Sequence, residues 1–231
     1  MIRLENLTKG YAFKGQTKYI VKNANLAIAP GATVGLMGRN GAGKSTLLQL
    51  IAGTINPNSG RVRITGNVSW PIGLAGCIHP ELSGTQNVRF IARVYGVDTD
   101  ELVDFVGEFA QLGSHYYQPV RTYSSGMRAR LNFGMSMGIR FDTYLIDEVT
   151  SVGDASFKSR SMALFEDRVS TSGAIFVSHS NAQVKQYCRN GIVLEGGTLT
   201  YFDDVDEAID RHMRNMMGDT YINENGVSLL D

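Results

Sequence analysis

Apolar runs and helical patterns alternate along the chain. The run TVGLM at 33–37 is mostly apolar and enters a glycine-rich segment, which is typical of a buried parallel strand. Leu47, Leu48 and Ile51 follow at helical spacing. A strand, a glycine loop and a helix in this order predict the opening of an α/β unit.

Other segments predict two further groups of strands. Apolar and polar positions alternate at 2–7 and 61–65, which predicts a small antiparallel portion in the first third of the chain. Apolar runs predict more core strands at 143–147 (TYLID), 174–178 (AIFVS) and 191–195 (GIVLE).

A helical pattern occupies the middle of the chain. Apolar residues recur at helical spacing from 85 to 112, Gly113 is the expected stop, and another helix is expected after Ser125. The fold class is therefore α/β, with a mostly helical lobe inserted between core strands. The predicted organisation is a single domain at 1–218, its helical subdomain at about 78–140, and a C-terminal tail at 219–231.

Composition narrows the function classes. In 231 residues, 22 lysines and arginines balance 22 aspartates and glutamates, so no bulk charge favours nucleic acid or an anionic membrane. The two cysteines, Cys77 and Cys188, are typical of reduced thiols in a cytoplasmic protein. No stretch approaches the roughly 20 apolar residues that cross a bilayer, so any membrane role is expected to go through a partner.

The segment GRNGAGKST fits the pattern GxxxxGK[ST] between a predicted strand and a predicted helix. Its backbone amides and the following helix dipole can hold phosphate oxygens, Lys44 can bridge the β- and γ-phosphates, and Ser45 can bind Mg²⁺. The alternative is a glycine turn with a surface lysine. The predicted nucleotide contacts in this segment are Gly38, Arg39, Asn40, Gly41, Ala42, Gly43, Lys44, Ser45 and Thr46.

Acidic residues and a histidine close two of the other predicted strands. In YLIDE, Asp147 would hold Mg²⁺ and Glu148 would orient or deprotonate the attacking water. An acid pair after a strand is weak evidence alone, since many strands end in surface acids. His179, in FVSHS, would contact the γ-phosphate and the attacking water. The remaining histidines receive no catalytic role: His79, His115 and His212.

The segment YSSGMRAR at 123–130 begins a predicted helix with two serines and a glycine. It offers a second dipole-assisted anion site, although an ordinary N-capped helix would look the same. Two half-sites for one terminal phosphate, if not joined within one chain, would be completed by two copies arranged head to tail.

Taken together and in this order, the motifs of the chain resemble those of the nucleotide-binding subunit of ABC transporters over about residues 1–210. The motifs are GRNGAGKS, YSSGM, YLIDE, SVGD (151–154) and His179. The resemblance implies a P-loop NTPase core with a small antiparallel β subdomain, an inserted helical subdomain, and ATP and Mg²⁺ as cofactors. It also implies residue roles: Lys44, Glu148 and His179 in catalysis, Ser45 and Asp147 at the metal, Tyr11 on adenine, Ser124 and Gly126 on the ATP of the opposite subunit, and Asp154 in the D-loop. Tyr19 could serve in place of Tyr11.

Within that family, four stretches resemble exporters of bacterial surface polysaccharide, and most closely the capsule-exporting ATPases: SWPIGLAG (69–76), HPELSGTQNV (79–88), TYSSGMRARLNFGMSM (122–137) and IDEVTSVGDASFKSR (146–160). Teichoic-acid and O-antigen exporters share the second stretch. Many O-antigen ATPases carry an extra carbohydrate-binding domain, for which 231 residues leave no room. The resemblance implies a homodimeric ATPase at the cytoplasmic face of the inner membrane, a separate polytopic permease, and a lipid-linked polysaccharide that this chain does not bind directly.

Two departures from the family pattern stand out. The signature reads YSSGM rather than LSGGQ, and no glutamine lies between Asn67 and Thr85, where the Q-loop glutamine is expected. Gln86 falls too far along, inside a predicted helix. Trp70 and the 79–95 segment are the expected docking region for the permease, with Trp70 equally compatible with a core position.

The rival function is a soluble ABC-type ATPase that acts on ribosomes or DNA. Such proteins usually contain two cassettes or a long coiled-coil insertion, and this chain shows one cassette and no net positive charge. A plain nucleotide kinase would leave YSSGM and SVGD without a role.

Overall fold

A computed structural model describes residues 1–13, 15–72, 78–147 and 155–217. These residues form two compact units. The first consists of the described residues within 1–71, 142–147 and 172–217, and the second of those within 72–141 and 155–171.

An antiparallel sheet opens the first unit. Its strands are β1 (Ile2–Phe13), β2 (Gln16–Ile28) and, after β3 (Thr33–Met37) of the second sheet, β4 (Ser59–Ile64). β1 lies in the centre and pairs with both neighbours, which confirms the antiparallel portion predicted from the alternating segments. β2 extends this sheet beyond what the alternation predicted.

The second sheet of this unit has the strand order β5-β6-β3-β7-β8. The additional strands are β5 (Thr143–Asp147), β6 (Gly173–Val177), β7 (Asn190–Glu195) and β8 (Thr198–Phe202). β5, β6, β3 and β7 run parallel, and β8 pairs antiparallel with β7. All the core strands predicted from apolar runs are therefore present.

Helices cover both faces of the parallel sheet. α1 (Lys44–Ile51) packs through Leu47, Leu48 and Ile51 into one core cluster with alternate residues of β3 and β7. The intervening glycines face the other side, where a Cβ on Gly35 would lie 2.6 Å from Val184. That side carries α6 (Asn181–Tyr187) and α7 (Val205–Met217).

A reciprocal clasp joins the points where the chain leaves and re-enters the first unit. The backbone N–H of Asn67 donates to the Asp142 carboxylate (2.8 Å), and that of Asp142 donates to the Asn67 side-chain oxygen (2.9 Å). Gly66 leaves room for this carboxylate, since a Cβ there would lie 2.5 Å from it. The two chain segments are thus fixed side by side.

The second unit is helical. It contains α2 (Gly84–Tyr95), α3 (Thr99–Ala110), α4 (Ser125–Gly138) and α5 (Ala155–Thr171), with 3₁₀ turns at Gly113–Tyr117 and Val120–Thr122. The predicted helices are present, but the predicted stop at Gly113 is wrong. α3 ends at Ala110 because Gln111 adopts the left-handed conformation (φ 50°), and Gly113 begins the following turn. No helix in the described part of the chain is long and apolar enough to cross a bilayer.

Candidate functional site

The candidate site lies at the carboxyl edge of the parallel sheet. Asp147 ends β5 opposite Val177 of β6, and His179 follows Val177 by two residues. The segment Gly38–Thr46, here called the phosphate loop, leaves β3, which pairs with β6 on its other side. Because the carboxyl ends of parallel strands share an edge, three predicted site elements meet there.

Two glycines of the phosphate loop are required by close packing. Gly43 is the N-cap of α1 with φ 106°, and a Cβ there would overlap the Ile20 side chain of β2. A Cβ on Gly38 would lie 2.5 Å from the carbonyl oxygen of Leu194 on β7. Any larger residue at these positions would displace the loop from the strands that hold it.

Lys44 is folded onto the phosphate loop. Its Nζ donates to the carbonyl oxygens of Gly38 (2.7 Å) and Arg39 (3.3 Å). The ammonium group therefore lies over the loop's own backbone, where phosphate oxygens can replace these carbonyls as acceptors. The amides at the start of α1 and its positive dipole end complete an anion-binding geometry.

The strand register separates the two tyrosines that the sequence left as alternatives. Tyr11 pairs directly opposite Lys18, so the two side chains share one face of the antiparallel sheet. From that face the Lys18 ammonium donates to the Gly41 carbonyl oxygen of the phosphate loop at 3.4 Å. Tyr19 is adjacent to Lys18 and therefore points to the opposite face. The phosphate loop and Tyr11 are on the same side.

The donor atoms at this edge suit Mg²⁺. Ser45 is exposed in the first turn of α1, and Asp147 is half-buried at the end of the otherwise buried β5, which α1 contacts. A hydroxyl and a carboxylate oxygen match the hard ligands that Mg²⁺ takes beside substrate phosphates. Within the described residues no cluster of three or more His, Cys, Asp or Glu forms a self-sufficient metal cage. The residues thus fit a metal shared with a phosphate ligand.

The predicted signature residues lie in the second unit. Ser124 is the N-cap of α4, and its hydroxyl accepts a hydrogen bond from the Met127 amide at 3.2 Å. Around Gly126 an added Cβ would meet only the Ser124 hydroxyl, at 3.9 Å. Ser124 is exposed, so this helix start is open to a ligand.

Some predicted residues fall outside the described part of the chain. These are Glu148, Asp154 with the rest of the SVGD loop, and the tail at 219–231.

The side chains of Trp70 and Gln86 are held within the fold. Trp70 is buried, with 4% of its surface exposed, so its expected role as a docking residue is wrong and its core alternative is right. Gln86 forms a capping box with Ser83 at the start of α2, accepting from the Ser83 amide at 2.8 Å. Its side chain therefore caps a helix. This agrees with the expectation that Gln86 does not serve as the Q-loop glutamine.

His212 lies near the phosphate loop, although the sequence predicted no role for it. It lines a cavity of about 230 Å³ together with Gly38–Ala42 and the end of β7. Burial lowers its pKa, the Lys44 charge lowers it further, Glu195 opposes this, and His179 adds a smaller lowering effect. In the sequence, His212 continues the apolar stripe of Val205, Ala208 and Ile209 at helical spacing, which indicates that it faces the core but not which element it meets.

Sequence comparison identifies the class of protein that this fold and site define. The family model described as ABC transporter matches residues 21–151. The chain belongs to the ABC transporter family, and it is an ATP-binding-cassette ATPase that binds nucleotide.

Individual relatives extend the similarity over nearly the whole chain. The polysialic acid transport ATP-binding protein KpsT of Escherichia coli is 45% identical over 215 residues, which cover 92% of this chain and 96% of KpsT. The capsule polysaccharide export ATP-binding protein CtrD of Neisseria meningitidis serogroup B is 43% identical, covering 91% and 97%. The teichoic acids export ATP-binding protein TagH of Staphylococcus epidermidis is 35% identical, covering 90% and 86%.

A solved structure supports the fold. A dimeric ATP-binding cassette in a post-hydrolysis state, bound to ADP and phosphate, matches with a TM-score of 0.71 at 21% identity. The match covers 87% of this chain and 98% of that one.

Proposed function

We propose that this chain is the ATP-binding and ATP-hydrolysing subunit of an exporter for bacterial capsular polysaccharide, working at the cytoplasmic face of the inner membrane. The observation that carries the proposal is the similarity to KpsT and CtrD, at 43–45% identity over more than nine-tenths of both chains. TagH-type teichoic acid exporters are less similar, at 35% identity.

The described residues support one arrangement of the reacting groups. The phosphate loop cradles the β- and γ-phosphates, and Lys44 exchanges its carbonyl contacts for phosphate oxygens. Bound Mg²⁺, held by Ser45 and Asp147, would neutralise charge on the β- and γ-phosphates. Tyr11, on the phosphate-loop face of its sheet, stacks on the adenine.

Two residues are assigned to the chemical step. Glu148 accepts a proton from the attacking water, and His179 donates a hydrogen bond to the γ-phosphate. His179 lies two residues beyond the end of β6, which is the neighbour of β3, the strand that leads into the phosphate loop. This position supports the role of His179.

A second copy of the chain would complete the site. Ser124 and Gly126 form an exposed helix start without a lysine, which suits them to cap a triphosphate held by another protomer. We infer a head-to-tail homodimer with two ATP molecules at the interface. Separation of the two copies after hydrolysis would then move the attached permease.

The permease contact is assigned to α2. Phe90 and Val94 lie one helical turn apart and are 58% and 59% exposed, although both are apolar. An exposed apolar pair on one helix face suits contact with helices of a membrane subunit. Trp70 takes no part, because it is buried.

Affinity purification from the native host tests the proposal. The tagged chain, recovered from detergent-solubilised membranes, should carry a polytopic permease, and deletion of its gene should leave capsular polymer inside the cell. Retention of ribosomes or DNA without a membrane protein would contradict export. Isolation of the trapped polymer and determination of its repeating unit and its site of attachment then separate a capsular polysaccharide from a teichoic acid.

A further inference from the structure

Helix α7 is fixed on the strand that borders the phosphate loop. The Val205 amide donates to the Arg189 carbonyl at 2.9 Å, and the Asn190 side chain donates to the Asp203 carbonyl at 2.8 Å. One turn further on, a Cβ on Gly191 would overlap Ala208, so the helix lies directly against β7. α7 therefore starts where β7 starts and runs toward the carboxyl edge of the sheet.

The buried face of α7 changes from apolar to polar along its length. Val205, Ala208 and Ile209 are buried against the sheet. His212 and Asn215 continue the same face, three residues apart, where the helix reaches the carboxyl edge. Both side chains are half-buried, and a polar neighbour stabilises polar groups in such a position.

That neighbour is the first half of the phosphate loop. His212 and Asn215 line the 230 Å³ cavity with Gly38–Ala42, Lys18 and the segment Val193–Gly196. α1 lies on the other face of the sheet, so α7 borders the loop from the face that α1 leaves uncovered. Lys44 of α1 thus contacts the loop directly, and His212 of α7 faces it across the cavity.

α7 also contacts elements that carry other parts of the site. It packs on β3, β7 and α6, and Lys185 of α6 pairs with Asp206 at 3.1 Å. β3 leads into the phosphate loop, and α6 begins just after His179. Burial and the Lys44 charge lower the pKa of His212, which favours the neutral imidazole, a group that can donate one hydrogen bond and accept one.

We propose that His212 is a positioning residue of the nucleotide site: facing Gly38–Ala42 across the cavity, its imidazole, with Asn215, holds this part of the phosphate loop by hydrogen bonding when nucleotide is bound. The inference rests on the nucleotide site proposed above. It adds α7 to the elements that determine ATP affinity.

Three substitutions at one position separate support of the loop from packing. His212→Ala removes volume and polarity, His212→Leu restores volume, and His212→Gln restores volume and hydrogen bonding. ATP affinity is measured by calorimetry on the full chain. We expect the dissociation constant to rise about tenfold for Ala and Leu, the effect of losing one hydrogen bond to the loop in the nucleotide-bound state, and to stay within about twofold for Gln. The matched control is Arg211→Ala, an exposed neighbour on the same helix, which should leave the affinity unchanged.

The outcomes distinguish this inference from the proposed site. Equal affinity for all three variants and the unaltered protein, or rescue by Leu as good as by Gln, would overturn the positioning role. Lys44→Ala, measured alongside, reports on the site itself: retained ATP binding by that variant would overturn the nucleotide site instead. If His212→Ala fails to fold, the comparison of Leu with Gln still decides, because both fill the space.

Discussion

At the scale of single residues, Lys44 is the charged group that the fold places most directly on the phosphate loop. Two backbone carbonyls hold its ammonium group, at 2.7 and 3.3 Å. Such contacts keep the charge at the loop while no phosphate is bound, so little reorganisation is needed when the nucleotide arrives.

Replacement of Lys44 tests this arrangement. Lys44→Ala should weaken ATP binding by between about tenfold and a hundredfold, because a hydrogen bond from a charged group is worth about 1.5–3 kcal/mol. Calorimetry gives the affinity. Lys22→Ala is the control, since that exposed lysine lies over the Tyr19 ring on the antiparallel sheet. A Lys44→Ala protein with unaltered affinity would show that the loop does not hold the phosphates.

A second residue-scale prediction concerns the contact between β7 and α7. Gly191→Ala would force its new methyl group against Ala208, and we expect a loss of about 1–3 kcal/mol in the free energy of unfolding. Urea denaturation measures it. Gly134→Ala on α4 is the matched control, because its Cβ would meet neighbours only at 3.4 Å and alanine favours a helix. Equal effects of the two substitutions would contradict the tight contact.

The residues of the phosphate loop could be predicted from sequence because their chemistry is local: nine consecutive residues, a strand before and a helix after. His212 could not be assigned to the site in that way. Its proximity to Gly38–Ala42 arises from the pairing of β7 with β3 and the packing of α7 on β7, contacts between segments far apart in sequence. The assignment of Tyr11 and Tyr19 to opposite faces of their sheet likewise needed the strand register.

At the scale of elements, α2 has a well-capped N-terminus and an exposed face that carries apolar side chains. Ser83 and Gln86 satisfy each other's backbone amides in a capping box, and Asn87 donates from its side chain to the carbonyls of His79, Leu82 and Ser83. The helix therefore does not need its exposed face for stability. Phe90 and Val94 on that face are available to a partner.

The double substitution Phe90→Ser and Val94→Ser tests the docking role. The melting temperature should stay close to that of the unaltered protein, since both side chains are exposed. Recovery of the permease in detergent should fall at least tenfold, because each buried apolar side chain contributes about 1.5–3 kcal/mol. Glu108→Ser, at an exposed position of α3, is the control. Undiminished recovery of the permease would exclude this face as the contact.

Strands were predicted where apolar runs were continuous or alternation was regular, and β2 and β8 were missed because neither pattern holds there. The parallel strands are buried on both faces and gave clear runs, whereas exposed residues interrupt β2 and β8. The end of α3 was misplaced because a left-handed Gln111, and not a glycine, ends the helix. That conformation is rare for glutamine, and sequence alone favours the glycine two residues later.

At the scale of the whole molecule, the proposed cycle depends on two copies of the chain. The triphosphate cradle lies in the first unit and the exposed Ser124 helix start in the second. A site shared between protomers makes ATP itself the link between them, so dimerisation and turnover are coupled.

Glu148→Gln tests this coupling. The substitution should lower turnover by about 10²–10⁴-fold by removing the general base, while ATP binding is kept and a dimer accumulates. Light scattering during gel filtration with saturating ATP measures the mass. Glu148→Gln combined with Lys44→Ala should remain monomeric. Rapid hydrolysis by the Glu148→Gln protein would exclude its role as the base, and a strictly monomeric mass with the permease present would exclude the shared site.

The clasp between Asn67 and Asp142 has a consequence for how such ATPases diversify. Because both ends of the intervening stretch are fastened to each other within the first unit, a change in the length of that stretch need not move the start of β5. If the permease binds α2 as proposed, insertions, deletions or grafts between these anchors would alter which permease is recognised without moving Asp147. In that case a lineage could acquire a new permease partner while its ATPase core stays the same.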